Sequence, residues 1–131
     1  LKELLINRSD LDRFCIGSHY HHRINLFKFD QFKNMATSMS RQEVIKLFIN
    51  QYFNLFTLNT PCVQVPVSFK GITIVNKKLI NLVHNQNKKI HVWTVDSQSE
   101  MQNLIDLGVD GIMTDRPSIL KETLVKNNLW I

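Results

Sequence analysis

The densest chemistry in the chain is the run Ser18-His19-Tyr20-His21-His22-Arg23. Imidazoles move protons near neutral pH and ligate metals. A metal, however, wants ligands that converge from several elements, or an i, i+4 pair on a helix, together with a carboxylate or thiolate. Neighbouring histidines point in different directions, so this run reads as a polar surface cluster with no metal, and with His19 at its strand end. A second set is Trp93-Thr94, Asp96 and Thr114-Asp115. An indole can wall off the apolar part of a ligand, and it can equally plug a core. Thr94 and Asp115 offer a hydroxyl and a carboxylate. Asp115 stands just before Pro117, where a carboxylate can also take free N–H groups of a first helical turn. Cys15 falls inside a strand-like run, a poor place for a nucleophile. It and Cys62 read as buried free thiols of a reducing, cytoplasmic setting, with a single disulfide as the alternative. His84 and His91 have no partner close in sequence.

The elements that must position these groups are legible from Lys88 to Pro117, KKIHVWTVDSQSEMQNLIDLGVDGIMTDRP. Lys89–Val95 alternates and is rich in β-branched and aromatic residues, as strands are. Ser97 and Glu100 have capping-box spacing. Met101, Leu104, Ile105 and Leu107 form one apolar stripe, and Gly108 suits a left-handed residue just past a helix. Gly111–Thr114 is a short buried strand. The unit is β-α-β, with parallel strands.

Upstream, Leu1–Ile6 reads as the end of a helix. Arg13–Gly17 is a short strand, Arg23–Lys28 a short helix, and Phe32–Thr37 a weak strand. Ser40 and Glu43 make a second capping box. It opens a helix to about Phe53, with Val44, Leu47, Phe48 and Tyr52 inward. Asn59-Thr60-Pro61 breaks the chain. Cys62–Val65 is a strand, and Val67–Val75 a loop with an extended piece near Ile72–Ile74. Asn76 caps a helix reaching to about Asn87. A last helix follows Pro117, a residue well placed in a first turn. Strands near 14, 34, 62, 90 and 111 alternate with helices, which argues for a parallel sheet with helical crossovers.

The 131 residues suffice for one domain with a core, here 1–131. The net charge of +5 is dispersed, so nucleic acid is not an expected partner. No apolar run approaches the ~20 residues of a membrane span, and no signal-peptide pattern occurs. The first residue is Leu1 and it falls within a helical pattern, so a fragment is expected. Neither a GxGxxG nor a Walker loop is present. Two architectures fit, a small doubly wound sheet and part of a (β/α)8 barrel, which typically needs ~250 residues.

HVWTVDSQSEMQNLIDLGVDGIMTDRPSIL resembles the C-terminal signature of the glycerophosphodiester phosphodiesterase family, a "vWTv" strand, a helix, and "GVDgIiTDrP". PCVQVPVSFKGITIV and FCIGSHYHHRI resemble its upstream strands, so the likeness runs from about Asp12 to Leu124. It implies α/β architecture as a partial (β/α)8 barrel: five parallel strands, the fourth to the eighth. It implies metal-dependent hydrolysis of a glycerophosphodiester to an alcohol and glycerol 3-phosphate, a step of lipid metabolism, with Mg or Ca as the divalent cation. It also implies a substrate-pocket rim of Trp93, Thr94, Asp115, Ser18 and His19, where His19 departs from the family's Phe.

The family's His-Arg-Gly, Glu-x-Asp, His-Asp and Glu-x-Lys motifs belong chiefly to its first three strands. None occurs here: Ile24 follows His22-Arg23, and the glutamates after Glu3 lie on expected helices. The expectation is therefore a chain that is inactive alone. It would need a missing N-terminal half-barrel as partner, and would self-associate without one. The alternative is a non-catalytic half-barrel, or an interaction module.

Overall fold

A computed structural model describes residues 1–27, 32, 35–53, 57–58 and 60–130. The chain divides into two compact units, Leu1–Val63 and Gln64–Ile131.

The first unit begins with a short helix, α1 (Lys2–Leu5), and a 3-10 turn over Leu11–Arg13. Strand β1 (Cys15–Ile16), helix α2 (His21–Asn25), strand β2 (Ala36–Thr37) and helix α3 (Arg41–Phe53) follow. Strands β1 and β2 are parallel, with Cys15 opposite Ala36 and Ile16 opposite Thr37. The Ser38 N–H extends the ladder to the Ile16 carbonyl at 2.9 Å. Residues 33–34 of the expected Phe32–Thr37 strand, Lys28 of the expected short helix, and Asn59 lie outside the described residues. Leu5, Phe27, Phe32 and Met35 are buried together, with Leu11, Phe14 and Ile16 packed on them. Each such side chain contributes about 1.5–3 kcal/mol on leaving water.

Helix α3 starts with the expected capping box. The Ser40 N–H donates to Glu43 Oε2 at 2.7 Å, and the Glu43 N–H to Ser40 Oγ at 3.5 Å. Leu47 is buried as expected, but Tyr52 is 60% exposed. Leu47 and Asn50 are the buried residues of this helix. At 100° per residue Tyr52 falls outside their stripe, and its ring instead stacks edge-on against Phe48 at 6.2 Å.

The second unit holds most of β3 (Cys62–Pro66), then β4 (Ser68–Phe69), β5 (Ile72–Thr73), α4 (Lys77–His84), β6 (Lys89–Trp93), α5 (Gln98–Leu107), β7 (Gly111–Ile112) and α6 (Pro117–Lys126). The sheet order is β3-β6-β7. Strands β6 and β7 are parallel, with His91 opposite Gly111. Strand, helix and strand thus stand as the Lys88–Pro117 pattern predicts. The sequence reads Val67–Val75 as a loop; the structure folds it into an antiparallel hairpin of β4 and β5. Lys70 and Gly71 both have positive φ, 50° and 78°, as a two-residue hairpin turn requires. Lys-Gly lacks the usual Asn-Gly signal, which is why the turn is not legible in the sequence.

Asn76 caps α4 through Oδ1, which accepts the Leu79 N–H at 3.0 Å. Gly108 closes α5 at φ 91°, with N–H bonds from Gly108 to Ile105 and from Val109 to Leu104. That pair of bonds is the Schellman arrangement. The Ser97–Glu100 box, by contrast, does not form: Ser97 makes no cap bond, and its Oγ lies 2.8 Å from Ser99 Oγ. Val65, Ile74, Val75, Leu79, Ile80, Val83, Ile90, Val92, Val95, Met101 and Leu104 are buried and apolar, and they lie on the strands, the helices, the segment before α4 and, for Val95, just after β6. A Cβ at Gly111 would meet His91 Cδ2 at 2.8 Å, so any larger residue there has to displace that imidazole.

Candidate functional site

In a parallel β/α architecture the strands' C-terminal ends share one edge, and binding groups collect there. In the second unit that edge carries the residues after β6 and β7. Trp93 ends β6 and is half-buried; Thr94 is exposed, and the peptide between them is cis. Asp96 is the group that organises the edge. Its Oδ1 accepts the Thr114 hydroxyl at 2.9 Å and the Asp115 N–H at 2.9 Å. The Thr114 Oγ in turn accepts the Arg116 N–H at 2.9 Å. Two loops 18 residues apart are thereby clasped by one carboxylate. Met113 bridges the same strands: its N–H donates to Val92, and its carbonyl accepts from Val95.

Asp115 does not take the capping role open to it. Helix α6 has Arg116 at its cap position with no side-chain cap bond. The Thr114 hydroxyl serves the Arg116 amide instead, and the Asp115 side chain is exposed. Sequence reasoning places Trp93, Thr94, Asp96, Thr114 and Asp115 at one edge, and the second unit brings all five there. It does not foresee Asp96 as the clasp, because nothing in the sequence pairs residues so far apart.

In the first unit, Ser18 and His19 follow β1. Ser18 Oγ accepts the Tyr20 N–H at 3.2 Å, a local turn. The exposed His19 offers its carbonyl to the Arg41 N–H at 3.3 Å, tying the β1 end to the start of α3. The histidine cluster disperses. His21 Nδ1 lies 3.4 Å from Ser40 Oγ and 3.6 Å from Glu43 Oε2, whereas His22 packs on the Tyr20 ring at 5.8 Å. Cys15, expected to be buried, is exposed; Cys62 is buried, and both are free thiols.

His84, partnerless in sequence, has one in space. Its Nε2 lies 2.8 Å from Asp110 Oδ2. The same carboxylate accepts the Ile90 N–H and the Lys89 ammonium, each at 2.9 Å. Burial alone would raise the Asp110 pKa, but the Lys89, Ile90 and His84 contacts outweigh it and lower it to about 2. This cluster sits at the start of β6 and β7, opposite the Trp93 edge, and is structural. Among the described residues no three His, Cys, Asp or Glu side chains come together as metal ligands would. Nor is any described helix long and apolar enough to cross a membrane.

Comparison with known proteins adds the family. The model of the glycerophosphoryl diester phosphodiesterase family matches residues 10–119. A protein of Mycobacterium tuberculosis named as a glycerophosphodiester phosphodiesterase is 35% identical over 69 residues, 53% of this chain and 26% of its own. One of Arabidopsis thaliana is 33% identical over 48 residues, 37% of this chain and 15% of its own. A dermonecrotic toxin of Loxosceles apachea is 50% identical over 36 residues, 28% of this chain and 13% of its own. The chain thus spans about a quarter or less of the length of these relatives. A crystal structure from Silicibacter pomeroyi, titled as a glycerophosphoryl diester phosphodiesterase, superposes with a TM-score of 0.68. At 16% identity it covers 91% of this chain and 40% of its own, and it supports the fold, part of a (β/α)8 barrel. With the family model covering Asp10 through Ile119, the chain belongs to the glycerophosphoryl diester phosphodiesterase family.

Proposed function

We propose that this chain supplies the C-terminal part of a glycerophosphodiester phosphodiesterase barrel. The completed barrel hydrolyses a glycerophosphodiester to an alcohol and glycerol 3-phosphate, in the turnover of phospholipid-derived compounds in the cytoplasm. The observation that carries this reading is the family match over residues 10–119. In it, Trp93 walls off the apolar or glycerol end of the substrate. Thr94 and Asp115 line the rim in the second unit, and Ser18 and His19 are the rim residues of the first, at the end of β1. Asp96 is a positioning residue, since it holds the loop that presents Thr114 and Asp115.

The divalent cation of the family finds no fitting ligand set among the described residues. What this chain's residues can do is bind, orient and shape. The proton transfers belong to histidines of the His-Arg-Gly and His-Asp type, which this sequence does not contain. The chain alone is therefore inactive. A second reading, a non-catalytic interaction module, is favoured by one observation: Ile45, Ile49, Tyr52 and Phe53 are all exposed on α3.

Glycerophosphocholine turnover with Mg2+ or Ca2+ tests both. The chain is assayed alone and mixed with a separately produced N-terminal half carrying His-Arg-Gly and Glu-x-Asp. The expected result is no turnover alone and turnover on mixing. That turnover is abolished by a chelator and lowered about tenfold or more by Trp93→Ala. Turnover by the chain alone that survives both the chelator and Trp93→Ala would overturn the proposal. Binding of the N-terminal half without any turnover would favour the interaction module.

A further inference from the structure

The two cysteines of the chain lie 47 residues apart in sequence, yet their sulfurs approach to 3.6 Å within the first unit. Cys15 is exposed on β1, and Cys62 is buried at the start of β3. The approach is built rather than accidental. The Thr60 hydroxyl lies within hydrogen-bonding reach of the Thr37 carbonyl on β2, and also of the Cys62 carbonyl at 2.9 Å. Strand β2 is in register with β1, Cys15 standing opposite Ala36. The start of β3 is therefore fastened to the strand that neighbours Cys15.

A disulfide needs its sulfurs about 2.0 Å apart, so closure from the observed 3.6 Å brings them together by about 1.6 Å. We propose that Cys15 and Cys62 form a dithiol pair that a peroxide closes into an intramolecular disulfide. Cys15 is the attacking thiol and Cys62 the resolving one.

The chemistry has a natural order. Cys15 is the accessible sulfur. The 3.6 Å contact with Cys62 stabilises a Cys15 thiolate when Cys62 keeps its proton, and it lowers the Cys15 pKa to about 7 against the opposing pull of burial. The same hydrogen bond, and then burial, raise that of Cys62. The Cys15 thiolate attacks one oxygen of the peroxide. The O–O bond breaks, hydroxide leaves, and Cys15 becomes a sulfenic acid. Cys62 then attacks the Cys15 sulfur; its proton and the sulfenic hydroxyl depart as water, and the S–S bond forms. Two thiols and one peroxide give one disulfide and two waters. The pair is oxidised by two electrons and the peroxide is reduced by two. The link would close most of the first unit into a loop and fix β1, whose end carries Ser18 and His19.

The test treats the full chain with hydrogen peroxide and maps the product by intact mass and by non-reduced peptide mass spectrometry. The expected product has lost two hydrogen atoms and contains a Cys15–Cys62 peptide, which a thiol reductant reverses. In Cys62→Ser, peroxide stops at a Cys15 sulfenic acid that dimedone traps. In Cys15→Ser, Cys62 stays unmodified. With only two thiols in the chain, the same link can form by chance in an unfolded ensemble. The reaction is therefore repeated in concentrated urea, where it is expected to slow about tenfold or more as the native approach is lost. Equal rates in buffer and urea would overturn the proposal. So would a native product bearing only Cys15 sulfinic acid, or only a disulfide between two copies.

Discussion

Asp110 carries more contacts than any other acidic side chain described in the second unit, and it is placed to hold the starts of β6 and β7 together. Its carboxyl titrates near 2 when folded, against roughly 3.9 in an unfolded chain. A depressed folded pKa means stability that is present above about pH 4 and lost as pH falls through about 2. Lys89 is 69% exposed, so solvent weakens its share. Asp110→Asn is expected to cost about 1 kcal/mol at neutral pH, after that discount. The gap should shrink between pH 4 and 2, where a protonated carboxyl and an amide are both neutral. Urea unfolding of both proteins at pH 7, 3 and 2 measures it, and a gap independent of pH would contradict the assignment.

At the scale of elements, two Ser-x-x-Glu patterns that look alike in sequence behave differently. Ser40 is fully buried and exchanges bonds with Glu43 at the start of α3. Ser97 is exposed, and the hydroxyl of Ser99 competes for its side chain. Ser40→Ala should cost about 1 kcal/mol, the usual loss on removing a serine cap. Ser97→Ala should stay within about 0.5 kcal/mol. Denaturant midpoints of the two variants decide the matter, and equal losses would mean that the Ser97 box forms in solution. The sequence pattern marks where a helix begins in both cases. Whether the box closes depends on local exposure and on a neighbour two residues away.

At the scale of the whole molecule, large apolar side chains remain uncovered. Ile45, Ile49, Tyr52 and Phe53 are exposed in the first unit, and Leu129 and Trp130 in the second. Water does not favour such surface, and short parallel strands present unpaired edges. The chain alone is therefore expected to self-associate, with a sedimentation coefficient that rises with concentration. A complementary N-terminal half should suppress that rise. A monomer with a cooperative melt across the whole concentration range would show instead that the chain stands as an independent α/β domain.

The amino-acid sequence determined the local features. Gly108 as the left-handed stop of α5, Asn76 as the cap of α4 and the parallel β6–α5–β7 unit are legible because each rests on residues within one or two turns of each other. The Trp93-Thr94 and Thr114-Asp115 segments are each legible as short local motifs, and the family match spans both. Tertiary structure alone decided which distant groups meet: Asp96 with Thr114, His84 with Asp110, and Cys15 with Cys62. These pairs are 18, 26 and 47 residues apart, and no local propensity encodes such a meeting. For Asp96 and Thr114 it follows from the parallel β6–β7 register, because a ladder fixes which side chains share an edge only once the strands have paired.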